Sequence, residues 1–317
     1  MTRRSTLRRA RGLVLGVAVV GLALAVATRW VDVMTPAFAA VQALVPASAV
    51  GLLVIVALAA VLRHRRLALA GVAPGLVVLV LLAVPFRSQA VAASTDDLTV
   101  MSANLEYGGA DAGQLVAAVR VRGAAVLVLA EVTPGAIGRL DAAGLTTLLP
   151  YAAGTADEGA SGTVIRSRYP LTAIGTDEHP HGDAPGFRSP LARVERPGAP
   201  ILVKGVHTLP PTAWPQGWVD DLASLRAVRS QPTSVPLVLA GDFNASDDHP
   251  AYRRMAAGMT DVHRAAGEGW VRTWPHGWRV PPFVQLDHVL VRGLDVVAAG
   301  TVTLDGTDHA AVWGTLR

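Results

Sequence analysis

Six polar clusters interrupt this chain, each beside an apolar, β-branched run. Asn104 follows LTVMSA, Glu131 follows AAVLVLA and His207 follows ILVKGV. Asp242 and Asn244 follow PLVLAG, Asp287 precedes HVLVRG, and Asp308 and His309 precede AAVWGTL. A buried strand that ends on a carboxylate, amide or imidazole delivers that group to an edge of its sheet. Carboxylate and amide oxygens hold a hard divalent cation. Imidazole and carboxylate together move a proton. That combination is the chemistry of cutting phosphate esters.

The elements that must position these groups are legible as periodic runs. Strands are expected over 98–104, 125–131, 162–166, 191–195, 201–207, 236–241, 286–291, 296–304 and 310–316. Helices are expected from Asp111 to Arg122, from Thr133–Pro134 onward, from Trp218 to Arg229 and from Pro250 to Met255. Leu115 and Val119 share one helical face, and Gly123 stops that helix. Thr133 is an N-cap with Pro at the first helical position. Nine strands exceed one comfortable sheet, so two packed sheets with helices outside are expected.

The first 90 residues are of another kind. Residues 12–28, 45–62 and 67–86 are three uncharged apolar runs, each near the ~20 residues that cross a bilayer. Together they predict three transmembrane helices. Arg3, Arg4, Arg8, Arg9 and Arg11 precede the first run, and Arg63, Arg65 and Arg66 lie between the second and third. The positive-inside rule puts both groups in the cytoplasm and everything after about residue 90 outside. TRRSTLR is also similar to a twin-arginine export signal, although positive-inside charge is the simpler reading. Residues 87–97 (RSQAVAASTDD) are small and polar. The expected organisation is a membrane anchor over 1–90, a linker over 91–97 and a catalytic domain over 98–317.

Composition agrees with this division. The chain of 317 residues is 51% hydrophobic, with a mean hydropathy of +0.39 and a pI near 10.1. Residues 1–95 hold ten Arg and one acid; since the whole chain is +4, the remainder carries −5. The basic charge is topology charge. The exported part has one Lys and no basic stripe, so nucleic acid is not the expected partner. The absence of Cys agrees with an oxidising compartment.

Taken singly, each polar cluster has an ordinary structural role: a turn, a helix-start acid or a hydrogen-bonded core histidine. Their joint order is specific. SANLEYGG, LVLAEVTP, VIRSRYPL, VKGVHTLPP, LAGDFNA, LDHVLV and GTDHAAVWG, in this order from about Leu98 to Arg317, resemble the endonuclease/exonuclease/phosphatase superfamily. That group includes DNase I-like nucleases, neutral sphingomyelinases and inositol polyphosphate 5-phosphatases. The resemblance implies an α/β fold, a four-layer α/β sandwich of two packed mixed sheets flanked by helices, with the site at one edge.

The roles expected from chemistry agree with that resemblance. Glu131 is the principal ligand of Mg²⁺ (or Mn²⁺), with Asn104 and Asp308 as further candidates for the metal region. Asp242 orients or deprotonates the attacking water, and Asn244 contacts the phosphate. His309 is a phosphate-contacting or acid–base imidazole, and Asp287 holds its other ring nitrogen. His207 matches the family's second histidine. Which histidine does which is open at this stage.

Ala103 stands before Asn104, where many relatives carry an aromatic residue. His288 follows Asp287, where nucleases usually have Tyr or Trp; substrate contact and core packing are both open for it. His179, His181, His249, His263 and His276 lack metal-like spacing and are expected at the surface. Trp274 and Trp278 are core residues or an apolar lip near the membrane.

A tethered, exported active site in an acidic domain favours a lipid phosphate or pyrophosphate in the membrane. HTLPP, the helix Trp218 to Arg226, AGDFNASDDHP and TWP with LDHVLV resemble the actinobacterial membrane-anchored VanJ-type proteins, linked to teicoplanin resistance. This likeness implies a multi-pass membrane protein acting on undecaprenyl pyrophosphate. The alternatives are a cell-surface nuclease or phosphodiesterase and a sphingomyelinase-like phospholipase. A non-enzymatic module would need a lost catalytic residue, and none is missing.

Overall fold

The structure is a computed structural model that describes residues 3–33, 35–178 and 186–317. His179 and His181 lie outside the described residues. The N-terminal region forms helices α1 (Arg3–Ala27), α2 (Pro36–Ala43), α3 (Val45–Val61), α4 (Arg65–Ala70) and α5 (Val72–Ala83). Among the described residues, one helix, over Leu7–Trp30, is long and apolar enough to cross a membrane. This differs from the three spans expected. The second run is α3, of 17 residues, which meets the preceding α2 at 59°. The third is broken at Gly71, and α5 has 12 residues, about 18 Å at 1.5 Å per residue. Pro74 explains the break: it offers no N–H and its ring opposes the carbonyl four residues back. Gly71 also lets the backbone approach α3, since a Cβ there would lie 2.4 Å from Val56 Cγ2.

Among the described residues, twelve strands follow. They are β1 (Leu98–Asn104), β2 (Val126–Ala130), β3 (Tyr151–Thr155), β4 (Thr163–Ser167), β5 (Leu171–Glu178), β6 (Arg188–Val194), β7 (Ile201–His207), β8 (Leu237–Asp242), β9 (Thr260–Asp261), β10 (Asp287–Arg292), β11 (Val296–Val302) and β12 (Ala311–Leu316). Sheet one has the order β11-β12-β1-β2-β4-β3, and sheet two β5-β6-β7-β8-β10-β9. Helices α6 (Ala112–Arg122), α7 (Pro134–Ala142) and α8 (Leu145–Leu148) pack outside sheet one; α9 (Pro215–Arg229) and α10 (Pro250–Ala256) pack outside sheet two. The short α11 (Val262–Ala266) lies against β11. Two packed mixed sheets flanked by helices are thus the architecture.

Side-chain alternation sorts the strands into layers. Val100, Val126, Val128, Val203, Val238, Ala240 and Val289 fill the core between the sheets. Met101, Leu127 and Leu129 face α6 to α8, while Val206, Leu239 and Leu290 face α9 and α10. By the same two-residue period, Asn104, His207, Asp242 and Asp287 fall on the inter-sheet face.

Topology brings these four to one edge. Each sheet contains one parallel pair: β1 with β2, ending Asn104 opposite Ala130, and β7 with β8, ending His207 opposite Asp242. Both pairs finish at this edge. The antiparallel neighbours begin there, with Asp287 of β10 opposite Asp242 and β12 starting after His309.

The segment after α5 is not a free linker. Gln89 N–H donates to Ala265 O and Val91 N–H to Val296 O, so it runs along the sandwich. Arg29 reaches Asp247 and Asp248, and Trp270 Nε1 donates to Leu82 O at 3.1 Å. The apolar helices are therefore docked onto the sandwich by named polar contacts.

Candidate active site

Asn104 ties the two sheets together. Its Nδ2 donates to Glu131 Oε1 at 3.0 Å and to Asp242 Oδ2 at 3.0 Å, and its Oδ1 accepts the Glu106 N–H at 3.0 Å. Glu131 sits one residue past β2, and its Oε2 accepts the Tyr107 N–H at 3.0 Å. Of five non-glycine residues with positive φ, four are Glu106, Tyr107, Glu131 and Asn244, all in the segments around this cluster. Such backbone is costly and persists where surrounding structure holds it.

Asp242 is buried, and its Oδ1 accepts the Asn244 N–H at 2.8 Å. Asn244 Nδ2 donates to Thr208 O at 2.8 Å. Gly241 permits the close approach just before Asp242: a Cβ there would fall 1.8 Å from Val206 O.

His309 is flanked by three carboxylates. Nδ1 lies 2.8 Å from Asp287 Oδ2, and Nε2 lies 3.8 Å from Asp242 Oδ2 and 3.7 Å from Asp308 Oδ1. Burial pulls the imidazole down, but Asp287 and Asp242 outweigh it and hold His309 up at about 10. His309 is therefore an imidazolium at neutral pH. His207 is opposite in character. Its Nδ1 meets Ala160 O at 3.0 Å and its ring stacks on Phe187 at 4.1 Å. Burial lowers its pKa more than Asp242 raises it, so it is neutral. Its Nε2 lies 3.7 Å from Glu131 Oε1. The two histidines are thus driven apart by their surroundings, the pattern that separates acid from base.

Burial raises the Asp242 carboxyl; His309 opposes the rise and Asp287 adds to it. Burial also raises Glu131, against the Asn104 hydrogen bond. Burial and Asp308 raise Glu106.

All eight expected site residues, Asn104, Glu131, His207, Asp242, Asn244, Asp287, Asp308 and His309, gather at this edge. Four further residues serve it. Glu106 adds a carboxylate beside Asp308. Thr307 Oγ1 donates to Asn104 O at 2.9 Å and accepts the His309 N–H at 3.1 Å. Thr273 Oγ1 accepts from Leu286 N and Asp287 N. Trp274 Nε1 donates to Asp308 Oδ2 at 2.8 Å, so it orients a carboxylate rather than serving only as an apolar lip. Its proximity in sequence to LDHVLV was the one signal pointing to it.

Three histidines depart from expectation or settle an open choice. His288 is buried, with Nδ1 2.7 Å from Asp261 Oδ2 and Nε2 2.9 Å from Ala245 O. It packs in the core, and neither of these two partners is one of the eight site residues. His249 and His263, expected at the surface, are each 2% exposed. Backbone carbonyls of Ala39 and Gly300 satisfy their Nε2 atoms, which makes burial tolerable.

Two groups of side chains here could face a cation. Asp242, Asp287 and His309 offer ligand atoms within 4.8 Å of one another. A protonated His309 already offsets one of that triad's two carboxylates and has no lone pair to give. Glu131, Glu106 and Asp308 are hard oxygen donors; the Asp308 charge raises both Glu106 and Glu131, and His309 opposes the rise. That donor set fits a divalent metal such as Mg²⁺.

A profile of the Endonuclease/Exonuclease/phosphatase family matches residues 101–309, about two thirds of the chain. The chain belongs to the endonuclease/exonuclease/phosphatase family. Members of this family are metal-dependent phosphoester hydrolases, and this chain is one. The sandwich is similar to humanized D. rerio TDP2 (TM-score 0.58, 17% identity, covering 70% of this chain and 100% of that one). It is similar to truncated Caenorhabditis elegans TDP2 (TM-score 0.57, 18% identity, 69% and 97%). It is also similar to an endonuclease/exonuclease/phosphatase from Beutenbergia cavernae (TM-score 0.52, 21% identity, 70% and 72%). These likenesses establish the fold. No curated protein matches the sequence.

Proposed function

We propose that this family member is a membrane-anchored, extracytoplasmic phosphohydrolase of the VanJ type. Its substrate is a lipid phosphate or pyrophosphate such as undecaprenyl pyrophosphate, and its metal is Mg²⁺. One observation carries the reading: the sandwich is tied directly to apolar helices that bare large side chains, including Leu13, Val17, Leu24, Val54 and Val80. An exposed apolar surface of that extent needs a bilayer or a partner. In this reading α1 crosses the bilayer, and the Arg residues at its N-terminal end put the sandwich outside.

The chemistry follows from the side chains in place. Asp242, raised by burial, takes a proton from the attacking water. His309, held cationic, donates Nε2–H to the phosphoryl or leaving oxygen. Asp287 keeps that imidazole oriented and charged. His207 is neutral and presents Nε2 beside Glu131. Asn244 is placed to contact the phosphate. Glu131, Asp308 and Glu106, with Asn104 beside them, would hold the metal, which supplies charge stabilisation on the phosphoryl oxygens.

A second reading is a nuclease or phosphodiesterase, favoured by likeness to D. rerio TDP2 "complexed with single strand DNA product". The net charge of −5 on residues 96–317 weighs against a polyanionic substrate. The deciding experiment incubates full-length protein in nanodiscs with undecaprenyl pyrophosphate, plasmid DNA and sphingomyelin. Phosphate release from the first supports the proposal. Efficient, salt-suppressed DNA cleavage would move the assignment to the second reading, and phosphocholine release to a phospholipase.

A further inference from the structure

A cavity of 540 Å³ lies between the apolar helices and the sandwich. None of the eight site residues lines it. Its size is that of a site for an organic ligand, about 300–1,000 Å³. Two chemistries line it. Val45 and Ala49 of α3 and Leu81 and Leu82 of α5 supply hydrocarbon, while the sandwich supplies Tyr252, Arg272 and the carboxylates of Asp247, Asp248 and Asp261, the first two of these acids held by arginines and the third by His288.

One of its buried lining groups lacks a partner. Tyr252 is 2% exposed, its ring packs on Phe243 and His288, and its hydroxyl has no hydrogen-bond partner. A buried hydroxyl is normally paired, so this one calls for an acceptor in the cavity. Arg29 and Arg264, also lining the cavity, are paired with Asp247 or Asp248. Arg272 is exposed, lies over the Trp270 ring at 5.9 Å and has no carboxylate partner among the described residues.

We propose that this cavity binds a membrane lipid with an anionic headgroup. Its chain lies against α3 and α5, and its headgroup oxygens meet the Tyr252 hydroxyl and the Arg272 guanidinium. A hydrocarbon wall continuous with the apolar helices, a buried unpartnered donor and an exposed guanidinium without a carboxylate partner match that one occupant. The inference rests on the bilayer placement proposed above, and it is independent of which phosphate the active site cuts. The bound lipid would bridge anchor and sandwich. It would also touch Val271 and Phe283, which line the cavity in the same segment that carries Trp274 to Asp308.

The test reconstitutes full-length protein in phosphatidylcholine nanodiscs doped with a diazirine-bearing phosphatidylglycerol. Photolabelling should concentrate on residues 81–85 and 270–284, and unlabelled phosphatidylglycerol should compete while added phosphatidylcholine does not. Tyr252→Phe keeps the volume and Arg272→Gln removes the charge; each should cut labelling by about fivefold or more, the effect of one lost hydrogen bond. Leu81→Trp should fill the cavity and abolish it. Uniform labelling of α1, unchanged in these variants, overturns the proposal, and so does equal competition by the neutral lipid. Hydrolysis of a soluble phosphodiester is read in the same samples and should be unchanged in all three variants. Specific labelling without any hydrolysis by the unaltered protein would sink the proposed function and leave the lipid site standing.

Discussion

His309 Nδ1 stands 2.8 Å from Asp287 Oδ2, and the pair joins the two sheets. His309 precedes β12 of sheet one, and Asp287 opens β10 of sheet two. Asn104 and Asp242 make a second such link at 3.0 Å. The active site is therefore a seam, and its geometry depends on how the sheets dock.

Asp287→Asn should lower the His309 pKa by removing the largest raising charge. The folded value near 10 exceeds the ordinary 6.5. Stability from this group is therefore full below pH 6.5 and lost as pH rises through about 10. We expect kcat to fall about 10²–10⁴-fold and the alkaline limb of kcat/KM to move down. NMR titration of the His309 ring in both proteins checks this; an unmoved limb would contradict the role of Asp287.

Asp242→Ala and His309→Ala should each remove turnover by about 10³-fold or more while circular dichroism stays native. Substantial residual activity in either variant would reassign the site.

Chelation by EDTA should abolish hydrolysis, and Mg²⁺ or Mn²⁺ should restore it. Glu131→Gln should raise the Mg²⁺ concentration needed for half-activity by at least about tenfold. Activity that persists in excess chelator would rule out the metal-assisted reaction.

His249 gives an acid signature of the docked N-terminal helices. Burial lowers its pKa to about 4, while carbonyls of Ala39 and Ser246 oppose the shift. A depressed folded value means that stability is full above pH 6.5 and declines as pH falls toward 4. The loss should be on the order of 3 kcal/mol. Melting curves from pH 7 to 4 should show it, with a shallower fall in His249→Gln.

Gly241→Ala should be among the most damaging single changes outside the reacting groups. Its Cβ would lie 1.8 Å from Val206 O, inside the parallel pair β7–β8. We expect a loss of about 4 kcal/mol or more, or insoluble protein. Denaturant unfolding of Gly241→Ala against Ala240→Gly separates this clash from a general effect on the strand.

Much of the site was legible because period-two alternation is a local property. Asn104, His207, Asp242 and Asp287 share parity with the inter-sheet core, and His288, one residue on, has the opposite parity. That alone assigns His288 to the outer layer. The missed strands are those with little apolar content: β3 is mostly exposed, β5 ends on polar residues and β9 has two residues. Thr307 and Thr273 were missed because they act by bonding backbone that lies far away in sequence. His249 and His263 were misplaced for the same reason, since their partners are carbonyls 210 and 37 residues distant. The apolar runs marked the N-terminal helices, but Gly71 and Pro74 set where the third one breaks.

Sheet two, spanning Leu171 to Arg292, is an insertion between β4 and β11 of sheet one. Strand β12, which fits between β11 and β1, is thus the last strand of the sandwich to be synthesised. His309 arrives with it. A chain still being made has Glu131 and Asp242 in hand but no His309 imidazolium to work with them. Hydrolysis is thereby deferred until the sandwich closes, a consequence of the order of strands alone.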